Sequence, residues 1–378
     1  MSFSALGLSD ILLQNLSNQK YTKAYPIQEE AIPAILKKKD VLGIAKTGSG
    51  KTASYVLPLL MHQQDAAISK NRHINVLVMV PTRELATQVV DVFKQFSQGF
   101  EEQIKAMAVY GGVAINPQMK ALRGVKILVA TPGRLLELLE VNAVNISEIN
   151  TLVLDEADKM LNMGFKKELD QIIGQLPAMR QNLLFSATLN KDVQNIQNLF
   201  LGNPTVIKID EDEDPIELIQ QISYFVSPEK KGPLLRHLID TKNMEQVLIF
   251  TASIQKADQV ANKLRNNGIE AWPIHSKKSQ GARTDLLTKF KHKKLRVLVA
   301  TDLLSRGIDI EFLPYVINYE LPRSPKDYIH RIGRTGRAEN PGEAISLIAP
   351  DEEHHFKVIQ KKMKKQVDRI DGNELLGA

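Results

Sequence analysis

"VLGIAKTGSGKT" occupies residues 41–52, and its order of residue types points to the fold class. Val41 to Ile44 form a short apolar run, which reads as a buried strand. A glycine-rich turn follows, and then a helix start. Gly48 and Gly50 let the backbone curl so that its N–H groups face phosphates. Lys51 can reach the β- and γ-phosphates, and Thr52 can ligate magnesium. The general pattern G-x-x-x-x-G-K-T has a glycine where this chain has Ala45. Taken alone, such a degenerate match could be an ordinary strand–helix turn. The strand before it and the helix after it are the context that marks a phosphate loop.

Similar apolar, β-branched runs recur on both sides. "INVLVMV" (74–80), "KILVA" (126–130), "TLVL" (151–154) and "NLLFSA" (182–187) read as strands buried on both faces. The pattern returns with "QVLIFTA" (246–252), "LRVLVAT" (295–301) and "YVINYE" (315–320). Strands alternating with helix-like stretches imply an α/β chain with parallel sheets. A length of 378 residues makes two domains the natural expectation. Between the two sets lies "IDEDEDPIE" (209–217), acidic, with Pro215 and no apolar period. It reads as a linker between domains 1–208 and 218–370, with 371–378 a tail. Repulsion among Glu211, Asp212, Glu213 and Asp214 should keep it extended. "KVIQKKMKKQVDR" (357–369) reads as a basic helix with Val358 and Met363 turned inward. "DEEHH" (351–355) lacks a coherent metal-ligand spacing and reads as a solvated helix start.

Composition is that of an ordinary globular chain, 43% hydrophobic and 24% charged. No apolar run approaches membrane-span length. "MSFSALGLSD" has neither the basic nor the apolar region of a secretory signal. Absence of cysteine excludes disulfides and Cys-based zinc sites and fits a cytoplasmic location. A net charge of +6 hints at a polyanionic partner.

"TLVLDEADKML" (151–161) ends a buried strand in Asp155, Glu156 and Asp158. Read alone, these acids cap a helix start and complement its dipole. A phosphate loop, however, needs an acid at the end of a neighbouring strand. Asp155 then holds magnesium, through water, and Glu156 orients and deprotonates an attacking water. With the loop in the same chain, the metal-and-base reading outweighs the capping one. Asp158 is expected to tie the segment to a neighbouring element.

With these motifs stand "PTRELA" (81–86), "GG" (111–112), "TPGR" (131–134), "SAT" (186–188), "VLIFTA" (247–252), "ATDLLSRGIDI" (300–310) and "HRIGRTGR" (330–337). In this set and order the chain resembles the DEAD-box ATP-dependent RNA helicases of superfamily 2 over nearly its whole length. It is similar in particular to their compact bacterial RhlE-like branch. The resemblance implies two RecA-like parallel-sheet domains in tandem, with ATP, Mg2+ and RNA as ligands bound across the cleft between them. It implies ATP-driven domain closure that unwinds short RNA duplexes or remodels RNA–protein complexes.

The resemblance also assigns residues. Thr47, Gly48, Ser49, Gly50, Lys51 and Thr52 hold the nucleotide's phosphates. "YTKAYPIQ" (21–28) is similar to the adenine-reading motif, with Gln28 on the base edge and Tyr21 stacked on the ring. Lys20, Ala24 and Tyr25 stand there in place of the usual Gly, Pro and Thr. Phe3 matches the isolated upstream aromatic, or simply packs an N-terminal segment. Asp309 contacts the ribose. Arg331, Arg334 and Arg337 recur at spacings of three, which is one face of a helix. A salt-bridge face is the plain reading; the family makes Arg334 and Arg337 arginine fingers. Ser186, Thr188 and His330 couple the domains.

RNA is implied to lie along Thr82, Arg83, Gly111, Gly112, Thr131 and Arg134 in the first half. Arg283, Thr301 and Arg306 continue the path in the second. Such backbone contacts carry no sequence information. Capping or salt-bridge roles compete for Arg83 and Arg134. "IHSKKSQ" (274–280) carries Ser276 and Lys277 where the family commonly has glycine and an acid. Two rival readings use the same motifs: a non-hydrolysing RNA clamp and a DNA translocase.

Overall fold

The computed structural model describes residues 2–45, 48–64, 73–101, 104–209, 219–301, 313–336 and 342–376. The chain divides into two compact units, Met1–Asp210 and Glu211–Ala378.

Unit 1 is built on seven strands: β1 (Val41–Ile44), β2 (Val76–Met79), β3 (Ala106–Val109), β4 (Ile127–Ala130), β5 (Thr151–Leu154), β6 (Gln181–Ser186) and β7 (Thr205–Lys208). They are all parallel, in the order β3-β4-β2-β5-β6-β1-β7. The strands carry apolar residues without alternation because both faces are covered. Val76, Val78, Val129, Val153 and Phe185 face one core layer; Leu77, Met79, Leu128, Leu152 and Leu184 face the other. The first layer is closed by α1 (Asp10–Asn18), α2 (Pro26–Leu36), α3 (Lys51–Gln64) and α4 (Arg83–Phe96). On the second face, after α5 (Ile115–Ala121), lie α6 (Pro132–Glu140), α7 (Ala157–Asn162), α8 (Lys166–Ile173) and α9 (Lys191–Phe200). Each fully buried Val, Leu, Ile or Phe stabilises by about 1.5–3 kcal/mol.

Unit 2 has strands β8 (Ile219–Phe225), β9 (Val247–Thr251), β10 (Ala271–Ile274), β11 (Val297–Thr301), β12 (Tyr315–Asn318), β13 (Gly342–Ile348) and β14 (Asp368–Asp371). Their order is β10-β11-β9-β12-β13-β8-β14, again all parallel. Counted from its own first strand, each unit therefore has the same order, 3-4-2-5-6-1-7. The helices are α10 (Lys231–Thr241), α11 (Ile254–Arg265), α12 (Gln280–Lys291), α13 (Pro325–Ile332) and α14 (Glu353–Met363).

Three expectations need correction here. Met363 turns inward as expected, but Val358 is exposed, and α14 buries Phe356 and Ile359 instead. The basic stretch is not one helix, because Lys364 takes a left-handed conformation and the chain then pairs as β14 alongside β8. Residues 371–376 do not trail away: Gly372 N–H donates to the Phe225 carbonyl, and Leu376 packs on the core beside α10. The acidic segment 210–218 lies outside the described residues.

One glycine positions the site. Gly43 lies opposite Phe185 in the β1/β6 register. A Cβ on Gly43 would fall 2.6 Å from Cδ1 of that buried ring. The ring in turn lies 5.4 Å, centroid to centroid, from Tyr55. Gly43→Ala should therefore overpack unit 1 and cost about 1–3 kcal/mol. Thermal unfolding of residues 1–208 measures this; an unshifted melting temperature would show that the ring moves freely.

Candidate active site

The phosphate loop leaves β1 at its carboxyl end, where ligands sit in open parallel sheets. Lys46 and Thr47 lie outside the described residues. Gly48 and Gly50 both have left-handed φ, 81° and 88°. At Gly50 a Cβ would also lie 2.4 Å from Gln28 Nε2, so close approach and conformation both demand glycine. Lys51, the first residue of α3, is buried. Its ammonium donates to the Ala45 carbonyl at 2.5 Å, bracing the loop across its own base. Burial lowers the Lys51 pKa, and the nearby Asp155 and Glu156 carboxylates oppose that. Thr52 follows it, half-buried.

Strand β6 lies between β1 and β5, so three loop ends meet beside the ammonium. Asp155 leaves β5 fully buried, and Tyr55 O–H donates to its Oδ2 at 2.8 Å. Glu156 sits at φ 54°, ψ 46°, a left-handed conformation that costs a non-glycine residue about 1–2 kcal/mol. It holds the N-cap position of α7, yet its side chain makes no cap bond. Instead its Oε1 accepts from Lys159 Nζ at 2.6 Å. Asp158 Oδ2 accepts from the Thr188 hydroxyl at 2.9 Å, and Ser186 Oγ donates to the Thr188 carbonyl. Asp158 thus fastens the helix after β5 to the loop after β6. Burial raises the pKa of Asp155 and of Glu156; Lys51 is the main opposing charge at Asp155, and Lys159 at Glu156.

Asp155 Oδ1, Glu156 Oε2 and Asp158 Oδ1 are buried without a hydrogen-bond partner among the described residues. Unfilled acceptors of this kind are costly. They suit a hard cation and an ordered water. No cluster of three acidic or His side chains among the described residues could hold a metal alone. Magnesium does not need one, since it binds through one or two protein oxygens plus phosphates and waters. The donor set of Asp155 and Thr52 fits it.

On the other side of the loop, Gln28 is fully buried. Its Oε1 accepts from Tyr25 N–H at 2.9 Å, and its Nε2 donates to the Gly50 carbonyl at 3.1 Å. Tyr21 packs edge-on to Phe96 and keeps about a third of its surface exposed, 36%. Phe3 is buried in the core with Leu6 and Leu12, so it packs the N-terminal segment. Lys20, in place of the usual glycine, has φ 62°.

Thr82 caps α4, its Oγ1 accepting from Leu85 N–H. A Cβ on Gly112 would lie 2.9 Å from Arg83 Nη1, so "PTRELA" and "GG" adjoin; Gly111 faces open space. Arg134 pairs with Glu137 at 2.8 Å, and its Nη2 donates to the Val113 carbonyl. Thr131 heads α6 with no cap bond from its side chain.

In unit 2, Arg283 is buried near the start of α12, and Thr301 ends β11. The expected arginine face does not form, because α13 ends at Ile332. Thr335 O–H donates to the Leu313 carbonyl, and Leu313 N–H to that of Arg334, which draws the chain out of the helix. His330 is half-buried in the last turn. Arg331 is buried; it donates to Asn318 Oδ1 and the Glu320 carbonyl and stacks on Phe250. Arg334 is buried in the turn that follows. Arg306, Asp309 and Arg337 lie outside the described residues.

A family model described as DEAD/DEAH box helicase matches residues 25–196, and one described as helicase conserved C-terminal domain matches 230–339. The DEAD-box ATP-dependent RNA helicase CshA of Bacillus cereus is 38% identical over 375 residues, covering 99% of this chain and 70% of that protein. The chain belongs to the DEAD-box helicase family. The ATP-dependent RNA helicase CshA of Listeria monocytogenes is also 38% identical, over 97% of this chain and 70% of its own. Among solved structures, S. cerevisiae Dbp5 bound to RNA and ADP BeF3 is 28% identical with TM-score 0.85, covering 100% of this chain and 98% of that chain. A DEAD box protein from Methanococcus jannaschii is 37% identical with TM-score 0.56, covering 98% and 99%. The two parallel sheets are RecA-like domains in tandem. Among the described residues no helix is long and apolar enough to cross a membrane.

Sequence reasoning missed two residues of this DEAD-box site, Tyr55 and Lys159. Tyr55 stands one turn after Lys51 in an otherwise apolar helix stretch. A buried phenol must find a partner, and that was the available signal. Tyr55→Phe leaves both oxygens of Asp155 unfilled. It should cost unit 1 about 1–3 kcal/mol, read by denaturant unfolding, and weaken nucleotide binding with it. Unchanged stability would mean that water replaces the phenol.

Proposed function

We propose that this DEAD-box protein is an RNA-dependent ATPase. It uses ATP-driven closure of its two domains to separate short RNA duplexes or remodel RNA–protein complexes. The observation that carries the reading is the buried set of Lys51, Asp155 and Glu156, with acceptor oxygens unfilled beside a glycine-cradled ammonium. Its relatives, named as ATP-dependent RNA helicases, support RNA as the polymer. A cytoplasmic location goes with this reading.

In this mechanism Lys51 exchanges the Ala45 carbonyl for the β- and γ-phosphates. Thr52 and Asp155 would hold magnesium, which would supply charge neutralisation at the phosphates. Tyr55 keeps Asp155 oriented. Glu156, aimed by its left-handed backbone, takes the proton of the attacking water on its unfilled oxygen. Burial raises its pKa toward the range useful for a base, and the Lys159 ammonium opposes that rise. Arg334 and Arg337 stabilise the charge of the transferring phosphoryl group. Asp309 reads the ribose, and Gln28 and Tyr21 the adenine. Arg83, the 111–112 glycines and Arg134 Nη1 receive the RNA backbone, with Arg283, Thr301 and Arg306. His330 couples the domains, as do Ser186 and Thr188 through Asp158.

Steady-state phosphate release with RNA, with DNA of the same sequence and with neither tests the reading. Stimulation by RNA alone is expected. Equal stimulation by DNA would favour a translocase, and no release at all a clamp. Lys51→Ala should abolish nucleotide binding. Glu156→Gln should still bind ATP yet turn over some 10²–10⁴-fold more slowly. The base must be ionised, so the wild-type rate should fall as pH drops through the raised Glu156 pKa, above the ordinary glutamate value. A pH profile placing that limb at or below the ordinary value would remove Glu156 as the base.

Arg334→Ala should slow RNA-stimulated hydrolysis by about a thousandfold while ATP affinity changes little. Single-turnover hydrolysis measures it. Wild-type rates would exclude Arg334 as a finger.

A further inference from the structure

Trp272 is the only tryptophan of the chain, and 42% of its surface is exposed. It stands on β10, an edge strand of the second sheet. Its register partner is Leu298, which packs in the core layer under α12. Trp272 therefore points to the α12 side of the sheet. Arg265 belongs to α11, which packs on the opposite layer, and its guanidinium reaches around the edge to stack 5.0 Å from the indole centre. Two hydrogen bonds fix that guanidinium, one to the Ala271 carbonyl and one to Asn262 Oδ1. The ring is thus held from one side while much of it stays open to solvent.

The same corner is basic. The end of α12 and the turn into β11 carry Lys289, Lys291, His292, Lys293 and Lys294, all exposed. From 280 to 296 the only acid is Asp285, which pairs with Lys289; the turn into β10 adds Glu270. Strand β11 is the neighbour of β10, and adjacent strands lie about 4.8 Å apart. The lysine turn and the foot of β10 are side by side. Arg283 lies near the far end of α12, roughly 12 Å of helix from Lys291.

We propose that this corner is a second RNA-binding surface, where an unpaired base stacks on Trp272 and the 289–294 lysines hold the flanking phosphates. It rests on the RNA reading above and extends it to single strand lying outside the contacts assigned there. A preorganised aromatic face beside cations is the arrangement that binds single strands without regard to sequence. An acidic protein segment would use the lysines but would leave the ring without a matching face.

Because Trp272 is the sole tryptophan, its emission reports on this surface alone. The full chain is titrated with a long oligouridylate, and binding is followed in parallel by anisotropy of a dye-labelled strand. Emission should quench saturably along the binding curve. Trp272→Ala should weaken the long strand about tenfold and leave RNA-stimulated turnover at saturating RNA unchanged; Trp272→Phe should restore most of the affinity. Replacing Lys291, Lys293 and Lys294 with Glu should lower the salt dependence of log K by about 2. Binding by anisotropy with constant emission and full Trp272→Ala affinity would overturn the second surface and leave the helicase reading standing. Absence of any RNA binding by the wild type would overturn both. Quenching by polyglutamate but not by RNA would overturn it in favour of an acidic protein partner.

Discussion

An ammonium taken out of water must be met by opposing charge and by hydrogen-bond acceptors, or it loses its proton. Lys51 is in that position, and much of unit 1 answers it. Its loop turns through left-handed glycines so that the Ala45 carbonyl comes within 2.5 Å. The order β5-β6-β1 brings the carboxylates after β5 within electrostatic reach. Tyr55 then fixes Asp155, and Phe185 steadies Tyr55 over the space left by Gly43. The core is shaped around a charged centre as well as around apolar packing.

The arrangement is tense rather than relaxed. Asp155 and Glu156 are buried with raised pKa values, and each retains an unfilled oxygen. Glu156 adds a strained backbone. Strain and unmet polarity of this kind persist only when the surroundings over-determine them, and they gather at functional sites. A ligand that fills the acceptors recovers part of that free energy on binding.

Much of this was legible in the sequence because it is written in local patterns. Uninterrupted apolar runs such as "VLVM" and "ILVA" announce doubly covered strands, and "GSGKT" announces a cradle. Short or mixed strands escaped notice: 106–109 and 271–274 are apolar but only four residues long, and 205–208, 219–225, 342–348 and 368–371 mix polar residues into the run. The spacing of Arg331 and Arg334 misled, because a helix period says nothing of where the helix stops. Thr335 and Leu313, far apart in sequence, decide that. Val358 and Ile359 are both apolar and adjacent, and only the packing of α14 on Tyr328 and Phe225 selects between them. Tyr55 acts through Asp155, a partner that no local pattern connects to it. Lys159 pairs with Glu156 at the ordinary three-residue helix spacing, a local signal passed over beside the acids.

The Arg265 bond to Ala271 has a consequence for chain-to-chain association. An edge strand offers a row of unpaired backbone groups to any passing strand. On β10 the Val297 N–H takes the Glu270 carbonyl, so the alternation of the ladder turns Ala271 and Pro273 outward. Arg265 already occupies the Ala271 carbonyl, and Pro273 has no N–H to give. A second copy arriving at this edge finds little to pair with. The strand that displays the one exposed indole is thereby kept from seeding sheet-to-sheet aggregation.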